Sequence, residues 1–280
     1  QLGERTGTRC FIKAEQLQRT GSFKVRGALN KVRSLSPEER ARGLLAVSAG
    51  NHAQGVAFAG AAFGASVTVV MPGKAPRSKI EASRGYGADV ILHGTLGDAF
   101  RKGQELQAEK GYTVVHPYDD PLIIAGQGTI GLEILEDLPD VDAVVVPVGG
   151  GGLIAGIAAA VKFSRPEVRV IGVEPEGATK VIPALQAGAV VDIGKANTIA
   201  DGLATPRTGE HVLEHVRALV DDLVIVTDDE IVDALLFLLE RSKLLVEPAG
   251  AAAAAALLAG KVNLPEGDNK FKALSITDDG

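Results

Sequence analysis

One lysine in this chain stands among neighbours that could make its amine reactive. Lys24 lies within residues 20–28, between two glycines and close to Phe23 and Arg26. A lysine beside another cation, or in a partly desolvated pocket, loses proton affinity and becomes a nucleophile toward carbonyl groups. An ordinary basic side chain at the start of a surface helix would show the same pattern, so other parts of the chain have to decide.

A run of glycines suggests an anion site. Gly149, Gly150, Gly151 and Gly152 stand between a predicted strand and a predicted helix. Backbone N–H groups can converge on an anion there, and the helix N-terminus adds a favourable dipole. No glycine-lysine-serine sequence follows this run, so it is not the triphosphate-binding loop, and we do not interpret it as the spaced-glycine dinucleotide fingerprint; a phosphate monoester is the predicted ligand. Glycines that only permit tight packing are the alternative.

A second turn of this kind could hold a carboxylate. It comprises Ser48, Ala49, Gly50, Asn51 and His52, again between a predicted strand and a predicted helix. A plain helix cap would look the same. An amine, a phosphate cradle and a carboxylate cradle are together what pyridoxal phosphate chemistry on an amino acid requires. The cofactor brings an aldehyde and a phosphate, and the substrate brings the carboxylate.

The elements that must position these groups alternate between short apolar strands, such as residues 143–148, and helices. This alternation predicts an α/β fold with parallel sheets covered on both faces. The strand and helix units from residue 44 to 129 form a compact insertion. We therefore predict a large domain of residues 1–38 plus 134–280, a small domain of residues 39–133, and a cleft between them.

Composition excludes several classes of protein. The 280 residues include 35 Asp and Glu against 29 Lys and Arg, without a basic block, which argues against nucleic acid or membrane as a partner. Cys10 is the only cysteine, so an internal disulfide is impossible and a reducing compartment is favoured. The apolar residues 141–161 contain Asp142, Pro147 and four glycines, which suit a strand, loop and helix better than a membrane span. We expect a soluble, cytoplasmic protein.

The five histidines have no cysteine or carboxylate partners at metal-binding spacing. His211 and His215 are four residues apart on a predicted helix, but the glutamate of the zinc-protease motif is missing. We expect both histidines on the surface.

Several motifs in order resemble the fold type II pyridoxal-phosphate enzymes. The matching stretches are residues 13–24, 48–55, 124–129, 147–156 and 200–202. Within that family the chain is most similar to the catabolic threonine/serine dehydratases, also called threonine ammonia-lyases, with the serine racemases as close relatives. The resemblance implies the three-layer, parallel-sheet architecture of the tryptophan synthase β-like kind.

The resemblance also implies roles for individual residues. Lys24 would hold pyridoxal 5'-phosphate covalently and act as the base for the Cα proton. Phe23 would pack against the pyridine ring, Asn51 would hydrogen-bond its hydroxyl, and Ser275 would face its nitrogen. The phosphate would lie on backbone amides of Gly149, Gly150, Gly151, Gly152 and Leu153. The substrate carboxylate would be surrounded by Ser48, Ala49, Gly50, Asn51 and His52.

The implied reaction removes the β-hydroxyl of L-threonine or L-serine as water and releases ammonia, leaving 2-oxobutyrate or pyruvate. Serine racemase is the main alternative, because residues 243–248 fit both groups. The racemases place a serine where this chain has Ala49, which favours the dehydratase. An amino-acid or nucleotide sensor without catalysis is a remote alternative, and an intact Lys24 argues against it. A homo-oligomer, dimer or tetramer, is expected.

The divalent-cation site of related enzymes corresponds to Glu174, the Ala178 carbonyl and a carboxylate at position 180. This chain has Lys180 instead. We therefore predict no metal, and hypothesise that the Lys180 ammonium takes the place of the cation by pairing with Glu174.

Overall fold

Helices and strands alternate along most of the chain. The computed structural model describes residues 2–48 and 50–263, together with the backbone of residues 271–276. The strands are β1 (Arg9–Ala14), β2 (Leu44–Val47), β3 (Val67–Met71), β4 (Asp89–Leu92), β5 (Thr113–Val114), β6 (Val141–Pro147), β7 (Arg169–Pro175), β8 (Asp222–Val226) and β9 (Phe271–Ile276). The α-helices in this part of the chain are α1 (Leu2–Thr6), α2 (Lys24–Ser34), α3 (Pro37–Ala41), α4 (Asn51–Ala62), α5 (Arg77–Gly85), α6 (Leu96–Lys110), α7 (Pro121–Asp137), α8 (Gly152–Ser164), α9 (Val181–Ala187), α10 (Glu210–Leu219), α11 (Asp228–Phe237) and α12 (Pro248–Leu258).

The strands form two sheets in which every pairing is parallel. The larger sheet has the order β1-β9-β6-β7-β8, and the smaller has the order β4-β3-β2-β5. Parallel neighbours need long crossover connections, which explains the alternation with helices. The α/β prediction with parallel sheets is confirmed. All strands of the smaller sheet lie between residues 44 and 114, and the division into two domains stays a prediction.

Strand β6 shows why the larger sheet is covered on both faces. Val145 packs in the apolar cluster formed with α11 and α12, whereas Val144 and Val146 pack in the cluster formed with α7 and α8. Successive side chains of a strand point to opposite faces, so an uninterrupted valine run requires a helix layer on each side. In the smaller sheet, Leu44 and Leu45 divide in the same way between two clusters.

Two glycines of the 124–129 motif serve helix packing. Both lie inside α7, and a Cβ atom on Gly126 would be 2.5 Å from the Cα atom of Gly27 in α2. A Cβ atom on Gly128 would be 2.9 Å from the carbonyl oxygen of Gly156 in α8. Helix α7 can therefore approach α2 and α8 closely at the same time, which ties the start of α2 to the larger sheet.

The apolar residues 141–161 fold as predicted, into β6, the glycine loop and most of α8. No helix in the described part of the chain is both long and apolar enough to cross a membrane.

Candidate active site

Lys24 is the first residue of α2 and is buried. Its side chain lies against that of Phe23, with Nζ 5.1 Å from the ring centroid, and Nζ donates a hydrogen bond to the carbonyl oxygen of Pro117 at 3.1 Å. Only 6% of the residue is exposed. The interpretation of Lys24 as a solvated cation on a surface helix is therefore wrong.

The neighbouring cation, Arg26, has partners of its own. Its guanidinium bonds Glu15 at 2.8 and 2.9 Å and Glu133 at 2.8 Å. Hydrogen bonds from Arg26 lower the pKa of Glu133 to about 2, despite partial burial of the carboxylate, and Lys13 contributes in the same direction. Two carboxylates thus neutralise Arg26, which anchors the first turn of α2 instead of acting as an unpaired charge beside Lys24.

The four glycines connect the end of β6 to α8 and are all buried. Gly151 has φ of +93°, a conformation that favours glycine. A Cβ atom on Gly150 would overlap the Tyr118 ring, and one on Gly152 would be 2.7 Å from the Tyr118 carbonyl oxygen. Positions 150 and 152 therefore have no space for a side chain, so both have to be glycine. N–H groups of the first helical turn lack acceptors within the helix, so this loop can present them to an anion.

The short segment after β5 brings the lysine and the glycine loop together. Pro117 accepts from Lys24, and its neighbour Tyr118 covers Gly150 and Gly152. Pro117 and Tyr118 are adjacent, and one contacts the Lys24 amine while the other contacts the glycine loop. The amine and the loop are thus brought together, although they are more than a hundred residues apart in sequence.

The predicted carboxylate turn has the expected strand, turn and helix form. Ser48 follows β2, and its Oγ accepts a hydrogen bond from the Gly50 N–H at 3.1 Å. Asn51 begins α4, is 5% exposed, and donates through Nδ2 to Glu247 at 3.4 Å. Ala49 lies outside the described residues. Glu247 lies in the 243–248 motif, but the sequence assigned it no role; its place immediately before Pro248, as the N-cap of α12, is the signal that could have marked it.

The His52 side chain does not face the turn. Its Nε2 donates to the carbonyl oxygen of Val115 at 2.9 Å, and the residue is 2% exposed. Burial lowers the pKa of His52 to about 3, and the charge of Lys24 acts in the same direction. The imidazole is therefore neutral at pH 7. A contact of His52 with a substrate carboxylate therefore has to come from its backbone N–H, and this role stays a prediction.

Lys180 and Glu174 form a fully buried pair, with Nζ 3.5 Å from Oε1 and both side chains 0% exposed. The carbonyl oxygens that accept from Nζ belong to Val148 at 3.3 Å, Ala178 at 2.7 Å and Leu203 at 3.2 Å. The backbone N–H groups that donate to the Glu174 carboxylate belong to Lys180, Val181 and Ile182. Oxygen atoms thus surround the ammonium group in the way they would surround a metal ion.

Within the described residues, no group of three or more His, Cys, Asp or Glu side chains could hold a metal ion. His211 and His215 both lie on α10; His211 is exposed and His215 is partly exposed.

The remaining predicted residues are Phe23, Leu153 and Ser275. Phe23 and Leu153 are buried members of one apolar cluster, which also contains Val148 and Val212. Ser275 lies in β9, opposite Lys13 of β1. Its side chain is outside the described residues, so its predicted role toward the pyridine nitrogen stays a prediction.

Comparison with known proteins identifies the family. Residues 1–272 match the sequence model of a family described as pyridoxal-phosphate dependent enzyme. The chain belongs to this family. Its cofactor is pyridoxal phosphate, and the residues present fit that group: a buried amine for the aldehyde and a bare glycine loop at a helix N-terminus for the phosphate.

Three individual proteins are informative. An L-threonine ammonia-lyase of Thermotoga maritima is 52% identical over 258 residues, which are 92% of this chain and 64% of that protein. The chain thus spans slightly less than two thirds of that relative. The structure of the processed form of threonine deaminase isoform 2 from Solanum lycopersicum has a TM-score of 0.93 and 39% identity, covering 100% of this chain and 81% of the other. Maize serine racemase has a TM-score of 0.95 and 36% identity, covering 99% and 85%. The predicted fold type is confirmed.

Proposed function

We propose that this chain eliminates water from L-threonine, L-serine or both, and releases ammonia with 2-oxobutyrate or pyruvate as the keto acid. The observation that carries the proposal is the buried Lys24 amine beside a glycine loop, in a chain 52% identical to an L-threonine ammonia-lyase. The preference between the two substrates stays open, because they differ by one methyl group.

Lys24 is proposed as the catalytic residue. Bound pyridoxal phosphate serves as an electron sink that makes the Cα–H bond of an amino acid acidic. Lys24 holds the cofactor through Nζ and is the base that takes the Cα proton. When Lys24 is not attached to the cofactor, its Nζ donates a hydrogen bond to the Pro117 carbonyl oxygen, 3.1 Å away. The amine is thereby kept in one place and away from bulk water.

The proposed binding residues come from the glycine loop, the turn after β2, Phe23 and β9. The phosphate lies on the backbone of Gly149, Gly150, Gly151, Gly152 and Leu153. The ring packs on Phe23, with Asn51 at its hydroxyl and Ser275 at its nitrogen. The substrate carboxylate lies against the turn formed by Ser48, Ala49, Gly50, Asn51 and the His52 backbone, where the N-terminus of α4 favours negative charge.

The proposed enzyme does not need a divalent cation at its Glu174 site. The Lys180 ammonium already has Glu174 and three carbonyl oxygens around it, so a metal ion placed there would meet a positive charge. We expect turnover to be unchanged by a chelator and by added magnesium. A clear stimulation by magnesium after chelation would refute this part of the proposal.

The direct test is the release of keto acid from threonine and serine by wild type and by Lys24→Ala. We expect the variant to lose at least about a thousandfold in kcat, because it lacks both the covalent attachment and the base. Lys74→Ala, at an exposed lysine, is the matched control. Reduction of the holoenzyme with borohydride, followed by peptide mass analysis, should place the cofactor on Lys24. Substantial activity in Lys24→Ala would overturn the proposal.

Serine racemisation is the second candidate, and the likeness to maize serine racemase favours it. Chiral analysis of the serine pool during turnover separates the two functions, because a dehydratase consumes L-serine without forming much D-serine. A cytoplasmic location and a homo-oligomeric state stay predictions, the second of which size-exclusion chromatography can check.

A further inference from the structure

Two consecutive aspartates between β5 and α7 bind the starts of two different helices. The Asp120 carboxylate accepts from the N–H groups of Leu122 and Ile123 in α7, at 2.8 and 3.2 Å. The Asp119 carboxylate turns the other way and accepts from the N–H groups of Glu210 and Val212 in α10, at 3.1 and 3.2 Å. Asp120 caps its own helix, α7, and also pairs with Lys31 of α2 at 2.6 Å. Asp119 caps a helix that begins about ninety residues later in the sequence.

Both segments that Asp119 joins lie against the glycine loop. On the first, the Tyr118 ring covers Gly150. On the second, Thr208 Oγ1 donates to the Gly150 carbonyl at 3.0 Å, and a Cβ atom on Gly151 would be 2.5 Å from Cγ1 of Val212. The loop is therefore held between the segment of Tyr118 and the segment of Thr208 and Val212, which form its two walls. The Asp119 carboxylate connects them.

A further bond spans the same two segments. The Tyr118 hydroxyl donates to the carbonyl of Arg207 at 3.2 Å. The His116 side chain stabilises the turn at residues 116–119, because its Nδ1 accepts from the N–H groups of Tyr118 at 3.3 Å and Asp119 at 2.8 Å. Gly209 leaves space for Asp119, since a Cβ atom there would overlap the carboxylate. These contacts give Asp119 one defined position at the start of α10.

We propose that Asp119 is a positioning residue for the phosphate of the cofactor: by bonding the start of α10 from the segment after β5, it holds Tyr118 and Thr208 against the glycine loop. The inference rests on the proposal that this loop binds the phosphate, and it is independent of which amino acid is the substrate. Without the Asp119 carboxylate, the two walls lose the bonds to Glu210 and Val212 and keep the bond from Tyr118 to Arg207, so they are held less firmly against Gly150.

The effect should be specific to the phosphate. In Asp119→Ala the loop keeps its glycines and Lys24 keeps its amine, so the aldehyde can still be captured, while the phosphate meets a looser set of backbone amides. We expect pyridoxal phosphate to bind about tenfold more weakly, the scale of losing a helix-capping carboxylate, and pyridoxal to bind as in wild type. Asp119→Asn retains one acceptor oxygen, and we expect its affinity for pyridoxal phosphate to fall less.

The experiment strips the holoenzyme of cofactor and titrates it with pyridoxal phosphate and with pyridoxal, following the visible absorbance of the bound aldehyde. Thr227→Ala is the matched control, because Thr227 accepts from the Glu230 N–H and caps α11 after β8, which is two strands away from β6 and its glycine loop. Thermal denaturation of each variant measures the general cost of a lost cap.

A loss confined to pyridoxal phosphate in Asp119→Ala, smaller in Asp119→Asn and missing in Thr227→Ala, supports the inference. Equal weakening of both ligands, no weakening of either, or the same loss in Thr227→Ala overturns it. If Asp119→Ala does not fold, the same comparison in Asp119→Asn decides. A wild type that binds pyridoxal as tightly as pyridoxal phosphate would refute the phosphate site and this inference with it. Keto-acid release from threonine would still test the proposed reaction.

Discussion

Replacing Lys180 by methionine removes an ammonium group from beside a fully buried carboxylate. Methionine is similar in length and volume, so the main changes are electrostatic. The ion pair to Glu174 at 3.5 Å is lost, and three carbonyl oxygens lose a donor. Removing one partner of a buried ion pair costs about 3 to 5 kcal/mol. Backbone N–H groups still bind Glu174 in the variant, so we expect a loss near the lower end, about 3 kcal/mol in the free energy of unfolding.

Urea denaturation of the holoenzyme measures this loss. It is read from the shift in the urea concentration at the unfolding midpoint, with the m-value unchanged. The double variant Lys180→Met with Glu174→Gln removes the unpaired charge while keeping an acceptor oxygen, so it should recover roughly half of the loss. Lys102→Met is the surface control, because Lys102 pairs with Glu105 at 3.0 Å in a partly exposed position. An exposed pair of this kind contributes less than about 1 kcal/mol.

The result that would refute the reasoning is a loss in Lys180→Met as small as that of Lys102→Met. Additive effects of the Lys180 and Glu174 changes would also refute it, because two residues that stabilise each other must give a non-additive double variant. Either outcome would mean that the carbonyl and carboxylate oxygens around position 180 do not depend on a cation.

Three further predictions concern other residues. Ala49→Ser should raise the ratio of D-serine to pyruvate formed from L-serine, because it adds a hydroxyl at the position where racemases carry one; an unchanged ratio in chiral chromatography would contradict this. Gly150→Ala should weaken cofactor binding at least about tenfold in an absorbance titration, because its Cβ would overlap the Tyr118 ring, whereas Gly85→Ala, where nothing lies within 4 Å, should leave binding unchanged and add up to about 1 kcal/mol of stability. His52 has a folded pKa of about 3, below its unfolded value near 6.5, so the unfolded state binds more protons between these values and its contribution to stability falls as pH drops below about 6. Wild type should therefore lose up to about 1.4 kcal/mol per pH unit more than His52→Gln in denaturation at pH 6, 5 and 4, and parallel curves would contradict this.

The strands and the glycine turns could be predicted from local sequence. The valine run of β6 demands burial on both faces, and four glycines before an apolar stretch can form a turn into a helix. Asn51 and the Ser48 turn followed from the same local pattern. These features depend on steric limits and hydrophobicity over a few neighbouring residues, which are present in the sequence itself.

The sequence alone could not decide where adjacent side chains point or which distant groups they meet. Lys24 and Arg26 are two residues apart, yet one amine reaches Pro117 while the other cation binds Glu15 and Glu133. Asn51 turns to Glu247 and the next residue, His52, turns into the core. Helical geometry separates neighbouring side chains by about 100°, so the packing of α2 and α4 determines which of them reaches the site.

The residue types, their order and the family resemblance determined the chemistry proposed for this protein: an amine, a phosphate loop and a carboxylate turn. The tertiary structure decided that the amine is buried beside the loop, that Lys180 is enclosed by oxygen atoms, and that Asp119 joins the two walls of the phosphate site. The physical reason is that parallel strands bring residues a hundred positions apart to one edge of a sheet. The contacts made there depend on the close packing of whole helices, which no local stretch of sequence specifies.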